Sequence, residues 1–108
     1  MLVTEYLYVL SPEQRDRLRV RFMRERQTIA EFVVQYEAEI KGRWYPVVRY
    51  DTAHGFAHRD LLHPDGRAEK QWLPWMSFNV AMTYATQELK TAWRRYRGAF
   101  EEELPHDA

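Results

Sequence analysis

Three of the four histidines in this chain fall within ten residues, in the run DTAHGFAHRDLLHPDG over residues 51–66. Asp51, His54, His58 and Asp60 are the group whose types and spacing can do chemistry. Imidazoles exchange protons near neutral pH, and a carboxylate beside an imidazole orients it. Alternate strand residues share a face, so His58 and Asp60 should point the same way with Cα atoms about 7 Å apart. His63 then faces the opposite way unless a bulge intervenes. His54 stands beside Gly55, where backbone can bend toward a ligand.

Three chemistries fit this group. In acid–base catalysis without metal, His54 or His58 serves as acid or base and Asp51 or Asp60 orients it. Arg49 or Arg59 would hold a phosphate, with Tyr50 and Lys70 completing the substrate-binding set. RNA cleavage of this kind needs little more, because the substrate supplies its own 2′-hydroxyl nucleophile. A second option is a metal site from His54, His58 and a carboxylate, a donor set suited to zinc or another divalent ion. A His-x-x-x-His pair aligns ligands on a helix, however, and Gly55 with the strand-like pattern argues against a helix here. The third option is structural: His and Asp bond to loop backbone, and Asp60–Lys70 is a cross-strand ion pair. The acid–base option is the leading functional expectation, and it calls for neither a metal nor a cofactor.

The elements that must position these residues read as follows. Residues 30–40 and 43–51 have the pattern of a hairpin. A three-residue loop at Ile40-Lys41-Gly42, with Gly42 left-handed, pairs Glu39 with Arg43. That register gathers Phe32, Val34, Tyr36 and Ala38 with Tyr50, Val48, Pro46 and Trp44 on one face. A second hairpin joins residues 56–63 to 67–73 through Pro64-Asp65-Gly66, a type I turn with a glycine bulge. It sets Asp60 opposite Lys70 and His58 opposite Trp72. Ser77 then caps a helix over about 78–97, whose stripe of Phe78, Ala81, Met82, Ala85, Leu89, Ala92, Trp93 and Tyr96 covers the sheet.

Upstream, residues 3–10 are β-branched and aromatic enough for a strand or an extended arm. Ser11-Pro12-Glu13-Gln14 has the form of a capping box with proline at the first helical position. A helix to about residue 27 follows, with Arg15, Arg17, Arg19, Arg21, Arg24 and Arg26 crowding a thin stripe of Leu18, Phe22 and Met23. Those arginines are a solvated face, or else a surface for a partner or a phosphate. Tyr45 and Trp75 are the aromatics expected at the surface. The expected fold is therefore α+β. It is an antiparallel meander of four or five strands packed by a long C-terminal helix, with an Arg-rich N-terminal helix. Residues 1–104 form one domain and 105–108 a loose tail, where His106 has no role.

A chain of 108 residues leaves no room for a second core. Sixteen basic residues match 16 acidic ones, so attraction to nucleic acid would need a local patch. The absence of cysteine excludes disulfides and thiolate metal sites and fits a reducing compartment. No apolar run approaches the roughly 20 residues that span a bilayer. The first residues lack the basic-then-apolar order of a signal peptide. A cytoplasmic protein without membrane contact is expected.

The run VRYDTAHGFAHRDLLHPDG over residues 48–66 resembles the signature of a small prokaryotic family. It is also similar to the TumE-type toxins of toxin–antitoxin pairs, which show a Tyr-Asp-x-x-His-Gly core followed by closely spaced histidines. The preceding hairpin and the following helix fit the same layout. Tyr50, Asp51, His54, Gly55 and His58 are the matching positions. The resemblance implies a toxin-like protein that acts on RNA or translation and is held by an antitoxin or other protein partner. The chain departs from the toxin pattern after His58, where Arg59-Asp60 replaces a further histidine, and in its Arg-rich N-terminal segment. The competing expectation is a non-catalytic interaction module, monomeric or a homodimer, whose partner meets the arginines or the aromatic surface.

Overall fold

Leu18, Val20 and Phe22 alternate with Arg17, Arg19 and Arg21, a period of two rather than 3.6. The computed structural model, which describes residues 2–105, accordingly makes this segment a strand, β2 (Asp16–Glu25), and not the Arg-rich N-terminal helix. Ser11 does bond the backbone three and four residues on, but it closes a tight turn instead of opening a helix. Its carbonyl accepts from Gln14 N at 3.0 Å and its Oγ from Arg15 N at 3.0 Å. Gln14 is left-handed with φ 59°, which stops helical propagation. The turn folds β2 back on β1 (Leu2–Val9), and Leu10 N donates to Asp16 O at 2.8 Å. Burying an alternating face uses Leu18 and Val20 fully, whereas the helical stripe would have been too thin to hold.

The meander continues through β3 (Thr28–Ile40), β4 (Arg43–Asp51), β5 (His58–Leu62) and β6 (Ala68–Trp72). All six strands lie in chain order in one sheet with antiparallel neighbours, so four or five strands was an undercount. The extra strands are the two halves of the segment expected to be helical or an arm.

The β3–β4 loop is shorter than the three residues expected. Ile40 pairs with Arg43 across a two-residue turn in which Lys41 and Gly42 both have positive φ, 53° and 80°. Such a turn would put the wrong residues on the buried face, but the register shifts between Tyr36 and Glu37. Glu37 faces Pro46 and Tyr36 faces Val48, so Val47 is an inserted residue. The bulge sits beside Pro46, which has no N–H to give to the ladder. Beyond it, Val34, Tyr36, Val48 and Tyr50 share one buried face as the hydrophobic pattern demands.

That face lies under α1 (Phe78–Glu103), capped by Ser77 Oγ accepting from Val80 N at 3.2 Å. Gly98 does not end the helix, which runs on to bury Phe100. Trp93 meets Tyr36 and Phe100 meets Tyr45, with ring centroids 6.3 and 5.4 Å apart. Tyr45 is therefore half-buried rather than exposed, while Trp75 is exposed as expected. Arg97 ties the helix to the sheet, donating to Asp16 Oδ1 and Glu39 O at 2.8 Å each. Glu101 pairs with Arg97 at 3.0 Å, and Glu103 with His63 at 2.7 Å, so neither relies on the arginines of β2. No helix among the described residues is long and apolar enough to cross a membrane. Of the expected tail only Pro105 is described, and residues 106–108, His106 among them, lie outside the described residues.

Candidate functional site

The sheet face away from α1 carries the sequence-predicted site, and cross-strand pairing assembles it in two rows. Asp51, His58 and Trp72 are successive partners across β4, β5 and β6. Arg49, Asp60 and Lys70 form the adjoining row. The Pro64-Asp65-Gly66 turn explains this registry: Gly66 N donates to His63 O at 3.0 Å, and Gly66 takes φ 94°. The expected His58–Trp72 and Asp60–Lys70 pairs are both present.

His58 is the centre of the group and is only 1% exposed. Its Nε2 lies 2.9 Å from Asp51 Oδ1 and 3.4 Å from Asp60 Oδ2. Its Nδ1 lies 3.3 Å from the carbonyl of Phe56. Lys70 Nζ stands 3.0 Å from Asp60 Oδ1, off the hydrogen-bonding direction, so that oxygen has a charge partner but no hydrogen bond. A ring carrying hydrogens on both nitrogens meets every one of these acceptors. A neutral ring donating from Nδ1 would instead aim its Nε2 lone pair at two carboxylates. A cation seated among Asp51, His58 and Asp60, whose ligand atoms lie within 4.8 Å of one another, would satisfy that arrangement.

The turn that follows β4 covers this cluster. Asp51 Oδ1 also accepts from Ala53 N at 3.0 Å, and Thr52 Oγ1 accepts from Phe32 N at 3.1 Å. His54 is left-handed with φ 72° in the short 3-10 turn Ala53–Gly55. Its exposed ring lies 6.4 Å from both His58 and Trp72, and His58 and Trp72 are 5.3 Å apart. His54, His58, Asp51 and Asp60 thus converge, but not in an open cleft. A substrate can meet His54, and it cannot meet His58 without displacing the turn or Trp72.

The expected substrate-binding residues divide between the two faces. Tyr50 and Arg59 point to the helix side. Tyr50 Oη donates to Glu88 Oε1 at 2.7 Å, and Arg59 Nη1 to Tyr96 Oη at 2.8 Å. Burial first, and then the Glu88 carboxylate, push the Tyr50 phenol far above its ordinary range. Neither side chain is on the same face as His54 and His58. Arg49 is on the histidine face but donates to Gln35 Oε1 at 2.7 Å, and Lys70 serves Asp60.

Sequence reasoning missed a second polar group on this face. Glu37, buried on β3, binds Arg17 at 2.8 Å and Arg19 at 2.9 Å, and Gln35 Nε2 donates to it at 2.6 Å. Burial pushes the Glu37 carboxyl up, but Arg19, Arg17 and Gln35 outweigh it and hold the group below its ordinary value. Arg21 pairs with Glu5 at 3.0 Å and Glu31 at 3.1 Å. The strand alternation of Arg17, Arg19 and Arg21 against Glu37 on the neighbouring strand was the available signal. These arginines are neutralised locally, so they form no free phosphate-binding surface.

A β-meander with one helix on its inner face, and an outer face of mutually satisfied charges, is the class that fold and site define. The chain belongs to the DUF7718 family, a domain of unknown function, whose model matches residues 1–106. No curated protein matches the chain, and no solved structure does.

Proposed function

We propose that this chain is a non-catalytic protein-interaction module whose binding element is the edge of β1. The observation that carries the reading is the exposure of this strand. Leu2, Val3, Tyr6, Leu7, Tyr8 and Val9 are 44–71% exposed, on a strand that pairs with β2 alone. Long apolar edges with free backbone groups are what proteins ordinarily cover or break with charge, because they recruit another strand. β1 carries one charge, Glu5, which is already paired with Arg21. The buried His58 cluster supports the same reading, because His58, almost wholly buried, lies out of a substrate's reach.

Strand addition can be tested by removing the outward hydrogen bonds alone. Leu10 N donates to β2, so by strand alternation the even residues of β1 face β2 and Val3, Glu5, Leu7 and Val9 face outward. Leu7→Pro should leave the melting temperature almost unchanged and abolish binding to extended apolar peptides in a fluorescence assay. Peptide binding that persists in Leu7→Pro would overturn the reading.

A second reading, an RNA-directed toxin-like protein held by an antitoxin, is supported by one observation. The exposed His54 lies 6.4 Å from Trp72, itself 44% exposed, and Lys70 Nζ sits 5.3 Å from the Trp72 ring centroid. A base could stack on Trp72 with its phosphate near Lys70. Controlled induction in a bacterial host tests it. Arrest by the wild type that is lost in a His54→Ala, Trp72→Ala double variant would support it, and growth unaffected by either would remove it.

A further inference from the structure

The geometry points to a second copy of this chain as the occupant of β1, in an antiparallel pair centred on Tyr6. This rests on the reading that β1 takes a partner strand. A two-fold axis joining two antiparallel edges stands perpendicular to the sheet and keeps like faces together. A residue must then lie on the axis opposite itself. Two registers pair all but one residue of the strand. Centring on Glu5 sets two carboxylates directly opposite each other, which is destabilising. Centring on Tyr6 sets Val3 against Val9 of the second copy, Thr4 against Tyr8, and Glu5 against Leu7. No like charges meet.

The hydrogen-bond directions agree. Because the odd residues face outward, Val3–Val9 and Glu5–Leu7 become the hydrogen-bonded pairs, each exchanging two bonds. Tyr6–Tyr6 is a non-hydrogen-bonded pair, with its rings on the helix side of the sheet. Tyr8 adds a second aromatic on that side, already held by Lys90 Nζ 4.1 Å from its ring centroid. The result is one continuous sheet with no exposed apolar edge at the join. A single strand pair is a small interface, so the association should be reversible and concentration-dependent.

The chain contains no cysteine, which makes the register directly readable. In a non-hydrogen-bonded antiparallel pair the Cα atoms are about 4.5 Å apart, within disulfide reach. Tyr6→Cys should therefore oxidise to a covalent dimer. Thr4→Cys and Tyr8→Cys should each remain largely uncrosslinked, because neither stands opposite itself. Sedimentation of the wild type from about 5 to about 500 µM should show the average mass approaching double. Leu7→Pro should stay at monomer mass. A wild type that is monomeric throughout, with no Tyr6→Cys crosslink, overturns the dimer. If β1 peptide binding is then still lost in Leu7→Pro, the interaction reading survives with another partner. Crosslinking between a Thr4→Cys copy and a Tyr6→Cys copy, in preference to Tyr6→Cys with itself, would overturn the Tyr6-centred register.

Discussion

His58 and Asp51 are direct cross-strand partners, and their side chains meet at 2.9 Å with the imidazole almost wholly buried. Removing one member of a buried ionic group leaves the others uncompensated, and that costs far more than the group's net contribution. His58→Ala would leave Asp51 and Asp60 facing each other across a cavity. The expected loss is about 3 kcal/mol or more by urea denaturation, with the midpoint shifted and the slope unchanged. His54→Ala, exposed on its turn, should stay within about 0.5 kcal/mol of wild type. Equal stability of the two variants would show that the cluster does not hold the β4–β5 end together.

Lys70 Nζ stands 3.0 Å from Asp60 Oδ1 at the edge of this cluster, and that makes the cluster's metal affinity testable. If hydrogen bonds from His58 and the charge of Lys70 satisfy the carboxylates without a cation, millimolar manganese or zinc, or EDTA, should move the melting temperature by no more than about 1 °C. In Lys70→Met the two carboxylates face one imidazole with a charge missing. That variant should melt lower and regain part of the loss on adding the divalent ion. A wild type that rises by several degrees with metal would make Asp51, His58 and Asp60 a metal centre.

The legibility of these features in the sequence differed with the kind of signal. Pro64-Asp65-Gly66 sets its turn type through local backbone chemistry, so the cross-strand partners of His58 and Asp60 follow from the sequence alone. Ser77 and the apolar stripe below it likewise placed α1. The segment from Ser11 to Gln27 held two local signals in conflict, a capping tetrapeptide and an alternating strand. The strand prevailed because pairing with β3 places Leu18 and Val20 beside Tyr36 and Val34 on the buried face of the sheet, which no local pattern reveals. The burial of His58 was not legible either. It depends on Trp72 and the His54 turn closing over the ring, both properties of the assembled sheet.

His63 links the β5–β6 turn to the end of α1, and its pH response has a definite sign. Its Nδ1 lies 2.7 Å from Glu103 Oε2 and its Nε2 2.6 Å from Glu69 Oε2. The Glu103 bond first, then the Glu69 bond, raise its pKa above the ordinary value, against smaller opposing contributions from desolvation and then Arg67. A raised folded value means that the stabilisation is fully present below the unfolded pKa of about 6.5. It is lost as pH rises through the folded value. Urea midpoints of wild type and His63→Gln should therefore differ most near pH 6 and converge toward pH 9. A difference that widens with rising pH would contradict this pairing.

Gly42 and Gly98 predict opposite outcomes for the same substitution. A Cβ added at either would meet no atom within 4 Å, so only backbone preference decides the sign. Gly42 occupies the two-residue β3–β4 turn at φ 80°, a conformation that costs an L-residue about 1–2 kcal/mol. Gly98 is exposed in the interior of α1, where alanine is favoured over glycine by about 1 kcal/mol. Gly42→Ala should lower the urea midpoint and Gly98→Ala should raise it, with the slope unchanged in both. Stabilisation by both would mean that the turn is not built on two left-handed residues. The bulge at Val47 would then have no parity to restore, and the register that brings Asp51 to His58 would need another origin.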